Sequence, residues 1–166
     1  FYPLINDTHG RVGPALDRPS ADIRRFFLEW LERDGCPLWS FWENIRTWWD
    51  IRHLPNVMLL HFADLKADPE GKIRELAEFL DIAVAKDAWP RILEHCSFDY
   101  MKRNADKSAP LSGMLWEGGA GRFINKGTNG RWRDLLTDAD NRGYLQLAVE
   151  QLGPDCAAWL ERGGSA

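Results

Sequence analysis

The chain has 166 residues and a mass of 19.1 kDa, the size of one domain, so a single core is expected. Its composition, 45% hydrophobic and 28% charged, is typical of a globular protein and excludes disordered, collagen-like and membrane-spanning classes. The net charge of −4 argues against a general binder of nucleic acid or anionic membranes, but it allows a local basic pocket for a small anion.

Apolar residues at helical spacing dominate the first part of the chain. Ser20 as N-cap and Asp22 in the first turn, with Gly35 after the run, predict one helix. A second helix is predicted after Pro37. The wide apolar stripe of this second helix should be buried, and it consists of Leu38, Phe41, Trp42, Ile45, Trp48 and Trp49.

A strand and a helix are predicted next. The nearly continuous apolar run Val57–Phe62 follows Pro55 and Asn56, which is typical of a strand buried on both faces of a parallel sheet. Asp68, followed by proline and an acid, then predicts the start of an amphipathic helix. A strand followed by such a helix is half of an α/β unit, so the predicted fold class is α/β.

The second half of the chain is predicted to be helical around one long loop. One helix is expected from Asp87 to about His95 and a short turn of helix at Phe98–Lys102. The glycine-rich segment Asn104–Gly130 has no helical or strand period and is predicted to be a loop, which at this length is usually functional. Thr137 and Asp140 resemble a capping box that begins the last long helix.

The strongest local candidate for chemistry lies at the end of this loop. Lys126 stands next to Gly127, and Gly130 follows shortly after. Backbone N–H groups at glycines approach an anion closely, and the ammonium supplies charge, so the segment is a candidate phosphate site. A solvated turn is the alternative interpretation of the same residues.

Other residue patterns leave the chemistry open. Phe62 and Phe98 each offer an aromatic face to a base or, alternatively, belong to a core. The histidines show no metal-ligand spacing, and no nucleophilic triad is indicated. The isolated cysteines Cys36, Cys96 and Cys156 argue against a disulfide framework. With no signal peptide or membrane-spanning run either, we expect a cytoplasmic protein.

Four segments, taken in order, resemble motifs of the cytosolic-type sulfotransferases. They are Pro37–Trp49, similar to a helix ending in a double tryptophan; Leu59–Lys66, similar to a strand leading into YEDLK; His95–Lys102, similar to TSFxxMK; and Phe123–Trp132, similar to FxRKGxxGDW. The resemblance extends from about Pro37 to Thr137 and is to the C-terminal half of the domain. It implies that residues 1–166 are one portion of a single P-loop-like domain, mostly helical, with a parallel sheet.

The resemblance also implies a reaction and its ligands. Such enzymes transfer a sulfuryl group from 3′-phosphoadenylyl sulfate (PAPS) to a hydroxyl or amine of a small-molecule acceptor, leaving adenosine 3′,5′-bisphosphate (PAP). No metal, nucleic-acid or membrane partner is implied. By position, the adenine pocket would be lined by Phe62, Cys96, Ser97, Phe98 and Met101, with Phe98 stacked on the purine. The 3′-phosphate would be held by Asn125, Lys126 and Gly127.

The chain departs from the family pattern at several positions. Phe62 and Ala63 replace the Tyr and Glu of YEDLK, and Asn125 replaces an arginine, so one charged contact becomes a neutral amide. The family's dimerisation motif would fall on Arg133, Thr137, Asp138 and Arg142, of which Asp138 and Arg142 replace its Val and Glu. The oligomeric state therefore stays open.

No catalytic residue is assigned within the chain. The apolar opening at Phe1 suggests a missing N-terminal half, and the phosphosulfate-binding loop and the histidine base of the family are expected upstream of it. Two other functions remain: a non-catalytic helical module that binds a partner through its tryptophan-rich face, and a phosphotransferase relative with another nucleotide donor.

Overall fold

The computed structural model describes residues 20–36, 39–113, 119–164 and 166. Pro37 and Leu38 of the first family-like segment, and the opening residues Phe1–Ile5, lie outside these ranges. None of the described helices is long and apolar enough to cross a membrane. The described residues form ten α-helices: α1 (Ile23–Glu32), α2 (Phe41–Asp50), α3 (Phe62–Ala67), α4 (Pro69–Phe79), α5 (Trp89–His95), α6 (Phe98–Arg103), α7 (Ala105–Ser108), α8 (Ala120–Phe123), α9 (Asp138–Leu152) and α10 (Pro154–Arg162).

The chain divides into two compact units. Of the described residues, the first unit contains 20–29, 85–113 and 119–130, and the second contains 30–36, 39–84, 131–164 and 166. Helices α5 to α8 therefore belong to the first unit, whereas α2 to α4, α9 and α10 belong to the second.

Local capping explains where several helices begin. The Asp68 carboxylate accepts the Gly71 N–H at 2.9 Å at the start of α4, and Thr137 and Asp140 form a reciprocal capping box at α9. Both predictions are confirmed. At α1, however, Asp22 rather than Ser20 accepts the free N–H groups, those of residues 24 and 25. The Ser20 hydroxyl instead accepts the Asp22 N–H.

The second unit is held together by α2, α9 and α10. Trp42, Ala148 and Ala157 form its buried cluster, and the Trp42 ring stacks on Tyr144 with centroids 5.9 Å apart. The predicted stripe of α2 is only partly buried, because Trp48 is 53% exposed. Six residues after Trp42, it lies about 120° round the helix from the packed face.

The predicted strand at Val57–Phe62 is absent from the described residues. Residues 57–61 are neither helix nor strand, and Phe62 begins α3. A strand forms only where a neighbouring strand accepts and donates its backbone hydrogen bonds, and the described part of the chain contains no such neighbour. The apolar pattern alone does not supply these partners.

The C-terminal residues close over the start of α3. The His61 Nδ1 atom accepts the Ala63 N–H at 3.2 Å, and its Nε2 lies 3.1 Å from the Leu160 carbonyl oxygen. The Gly164 N–H donates to the Asp64 carboxylate at 2.7 Å. Helix α10, which begins at Pro154 and was not predicted from the sequence, thus anchors the first turn of α3 together with Gly164.

The predicted loop Asn104–Gly130 contains short helices. Helices α7 and α8 and a 3₁₀ turn, Pro110–Gly113, occupy much of its described part. Each is only four residues long, which is too short to show a helical period in the sequence. Gly113 is required where the turn meets α8, since a Cβ there would lie 2.1 Å from the Ala120 nitrogen.

Asp34 links the end of α1 to the start of α2. Its carboxyl should make the folding stability depend on pH in the acid range. Burial raises the pKa of its carboxyl, but hydrogen bonds from the Ser40 hydroxyl and the Trp42 and Phe41 N–H groups lower that pKa below its ordinary value. The stabilisation is therefore present above pH 3.8 and lost as the pH falls through the lower folded value.

We expect Asp34→Asn to reduce the free energy of unfolding at pH 7 by about 1 kcal/mol, because hydrogen bonds to a charged acceptor are stronger by roughly that amount than bonds to a neutral amide. The difference from wild type should shrink below pH 4 by roughly the same amount, because the wild-type carboxyl becomes protonated there. Urea titrations at a series of pH values measure this difference in the free energy of unfolding. A difference that stays constant down to pH 3 would contradict this role.

Candidate functional site

Ser97 determines where α6 begins and therefore where Phe98 lies. Its hydroxyl accepts the Tyr100 N–H at 3.1 Å and donates to the Glu94 carbonyl at 2.7 Å. The first bond caps α6 and the second ties it to the end of α5. The hydroxyl of Ser97 is thus engaged within the protein, and Phe98 is held as the first residue of α6.

The loop that follows α8 lies directly against the Phe98 ring. A Cβ on Gly127 would be 2.4 Å from Cδ2 and 2.6 Å from Cε2 of Phe98. Gly127 also has a φ of +60°, a conformation that costs glycine little. Two independent constraints, conformation and space, therefore require glycine here. The consequence is that the backbone beside Lys126 lies within contact distance of an aromatic ring.

A second contact links the same helix and loop. The Lys102 ammonium donates to the Asn125 carbonyl oxygen at 2.8 Å, and its Nζ lies 5.6 Å from the centroid of the Phe98 ring. The predicted adenine-stacking residue and the predicted phosphate-binding loop are thus brought together within the first unit. The TSFxxMK-like and FxRKGxxGDW-like segments meet through these contacts.

Lys126 and Asn125 are available to a ligand. Both residues are exposed, and Lys126 makes no ion pair with any residue in the described ranges. An exposed ammonium beside a glycine that keeps the backbone accessible can form charge-assisted hydrogen bonds to an anion. The arrangement suits a phosphate group lying next to an aromatic ring.

Cys96 and Met101 flank Phe98. The Cys96 N–H donates to the Ile92 carbonyl at 3.0 Å, which ends α5, and its side chain is exposed. Met101 is half-buried on α6, three residues after Phe98 and therefore on the same helix face. The place of both residues in an adenine pocket stays a prediction.

Phe62 belongs to the second unit. As the first residue of α3 it is held by the His61 cap, and its side chain is 57% exposed. Its exposure leaves the ring open to a ligand, and its place in an adenine pocket stays a prediction.

Lys102 is the residue that the sequence interpretation did not assign. In the sequence it is the final position of the TSFxxMK-like segment. Its spacing offered a signal, because residues four apart on a helix lie on one face, which places Lys102 beside Phe98. The spacing did not show that its ammonium would bind the Asn125 carbonyl, 23 residues further along the chain.

Comparisons with known proteins bear on this site. The family described as "Sulfotransferase domain" matches residues 11–153. The chain is 34% identical to a glycolipid sulfotransferase of Mycobacterium bovis (strain BCG / Pasteur 1173P2), over 98% of the chain and 55% of that protein. It is 29% identical to sulfotransferase 2A6 of Rattus norvegicus, over 76% of the chain and 44% of that protein. The chain thus spans about half the length of these curated relatives.

Two solved structures share the fold. Mouse sulfotransferase SULT7A1 complexed with PAP has a TM-score of 0.68 and 24% identity, covering 81% of this chain and 49% of that one. Retinol dehydratase in complex with androsterone and the inactive cofactor PAP has a TM-score of 0.63 and 27% identity, covering 77% and 38%. Taken with the match to residues 11–153, these similarities show that the chain belongs to the sulfotransferase family.

Proposed function

We propose that the chain carries the part of a PAPS-dependent sulfotransferase that binds the adenine and the 3′-phosphate of the donor. The packing of Gly127 against the Phe98 ring carries the proposal, because it places Lys126 beside an aromatic surface. The relative retinol dehydratase binds PAP, which supports a nucleotide of this kind. Phe98 would stack on adenine, while Asn125, Lys126 and Gly127 would hold the 3′-phosphate.

The 3′-phosphate is the feature that separates this donor from ATP. A cation together with close backbone N–H groups binds an anion at that position selectively. The exposed Lys126 provides the cation, and the backbone at Lys126 and Gly127 is proposed to provide the N–H groups. The site therefore favours a nucleotide phosphorylated on the ribose. Cys96, Ser97 and Met101 are proposed as the other residues of the adenine pocket within the first unit.

The complete reaction is proposed for the whole protein. An acceptor hydroxyl or amine attacks the sulfur of PAPS, the bond from sulfur to the phosphate oxygen breaks, and PAP leaves while a base takes the acceptor proton. A small-molecule acceptor is supported by the androsterone that retinol dehydratase binds and by the glycolipid named for the mycobacterial relative. The residues proposed for the donor site hold the nucleotide in place, and none of them is proposed as the base.

Residues 1–166 form part of one domain, because the family match from 11 to 153 includes residues of both units. Residues 57–61, which are neither helix nor strand in this structure, are proposed to pair as a strand of the parallel sheet only in the whole protein, as their apolar pattern favours. The protein acts in the cytoplasm, a reducing compartment compatible with the free thiols of Cys36, Cys96 and Cys156.

Titration calorimetry on the 166-residue chain tests the donor site. PAP, ADP and adenosine 5′-phosphate are compared at one salt concentration. We expect the chain to bind PAP at least about tenfold more tightly than either of the others, the effect of one charge-assisted contact. A preference for ADP would favour a phosphotransferase. Binding of none of the three, by the chain and by the whole protein alike, would favour a non-catalytic binding module and overturn the proposal.

A further inference from the structure

Lys102 makes two contacts within the protein that do not depend on a bound ligand. It is the last residue but one of α6, and its side chain is exposed to solvent. Its ammonium donates to the Asn125 carbonyl oxygen at 2.8 Å and lies 5.6 Å from the centre of the Phe98 ring. One side chain thus contacts both the ring proposed for adenine and the loop proposed for the 3′-phosphate.

The Asn125 carbonyl is half of the peptide group that links Asn125 to Lys126. In a trans peptide the carbonyl and the following N–H point in opposite directions. When the Lys102 ammonium holds the carbonyl on the α6 side, the Lys126 N–H points away from α6. The orientation of a backbone donor beside Lys126 is therefore set by Lys102.

The positive charge strengthens this effect. An ammonium bound to a carbonyl oxygen polarises the peptide, so the opposite N–H becomes a better donor to an anion. A neutral donor at the same place would orient the peptide but polarise it less. Asn125 and Lys126 are both exposed, so the peptide between them is accessible to an anion.

We propose that Lys102 is a positioning residue that orients the Asn125–Lys126 peptide so that its N–H donates to the 3′-phosphate of the nucleotide. The inference rests on the proposed function, since it assigns a role within the same donor site. Lys102 itself does not contact the phosphate; it acts through the peptide that it holds.

Lys102→Met tests this role because methionine keeps an unbranched side chain but removes the cation. We expect it to weaken PAP binding by about tenfold, in line with a lost hydrogen bond from a charged donor. Binding of adenosine 5′-phosphate, which lacks the 3′-phosphate, should fall by less than about twofold. Titration calorimetry on the 166-residue chain measures both, and Lys102→Arg should restore most of the preference for PAP because it keeps a charged donor.

Lys107→Met is the matched control. Lys107 is another exposed lysine of the same unit, on α7, so its replacement removes the same charge without touching Asn125. We expect it to change PAP binding by less than about twofold, since exposed charges act weakly at a distance. An equal loss in both variants would show that net charge alone matters and would overturn the positioning role.

The outcomes separate this inference from the proposed function. If the wild-type chain binds PAP no better than adenosine 5′-phosphate, the donor site itself is wrong. If the wild type prefers PAP and Lys102→Met keeps that preference, only the role of Lys102 is wrong. Equal losses for both nucleotides in Lys102→Met would indicate a general structural contact and also overturn it.

Discussion

Replacing Gly127 with alanine is expected to disrupt the donor site. The new Cβ would lie 2.4 Å from Cδ2 of Phe98, and the residue would have to keep a φ of +60°. The left-handed conformation alone costs on the order of 1 kcal/mol. Relief of the clash requires the loop or the ring to move, so PAP binding should fall by at least about tenfold.

Gly119→Ala is the matched control for this substitution. Gly119 also has a positive φ, +71°, but nothing lies within 4 Å of its added Cβ. An alanine at Gly119 therefore carries backbone strain of its own, at a ψ of −163°, without the clash. Thermal unfolding and calorimetry on both variants isolate the contribution of the Phe98 contact. If the two variants lose the same stability and affinity, the close approach of the loop to the ring is not important.

A double variant sharpens the comparison. In a chain carrying Phe98→Ala the space beside Gly127 is open, so adding Gly127→Ala should cost little beyond the backbone strain. The difference between the two costs measures how strongly the loop and the ring are coupled. Additive losses would mean that the two segments act independently.

Lys126→Ala is expected to reduce the affinity for PAP by roughly tenfold to a hundredfold, the range for a charge-assisted hydrogen bond. Adenosine 5′-phosphate should lose much less, because it has no group at the position that Lys126 is proposed to contact. The change should fold normally, since the side chain is exposed and makes no ion pair with a described residue. Calorimetry with the two nucleotides at a fixed salt concentration provides the measurement.

Two variants control for charge in this experiment. Lys107→Ala removes an equivalent exposed lysine on α7, outside the loop that follows α8, so it should leave the ratio of the two affinities unchanged. Lys126→Arg keeps the charge and should retain most of the affinity for PAP. A loss that is equal for PAP and adenosine 5′-phosphate in Lys126→Ala would contradict the assignment of Lys126 to the 3′-phosphate.

Much of the helical structure was readable in the sequence because its signals are local. Asp68 before proline and an acid predicted the start of α4, and Thr137 with Asp140 predicted that of α9. In both cases the capping side chain and its N–H partner lie within three residues of each other. The order of the four family-like segments likewise indicated the family that the comparison with residues 11–153 shows.

The prediction was wrong or incomplete where distant residues decide the outcome. The apolar run Val57–Phe62 predicted a strand, but a strand also needs a partner, and none lies in the described ranges. Trp48 was placed in a buried stripe, yet burial depends on which neighbour covers the helix face. The short helices α7 and α8 left no periodic signal for a sequence to show.

The amino-acid sequence by itself determined the caps, the helix-forming periods and the glycine-flanked lysine, because each depends on residues within a few positions of one another. Only the tertiary structure decided that Gly127 lies against Phe98 and that Lys102 binds the Asn125 carbonyl. It also decided that Gly164 donates a hydrogen bond to Asp64, 100 residues earlier in the chain. Such contacts arise when folded segments meet in space, and no local pattern of residues specifies which segments those are.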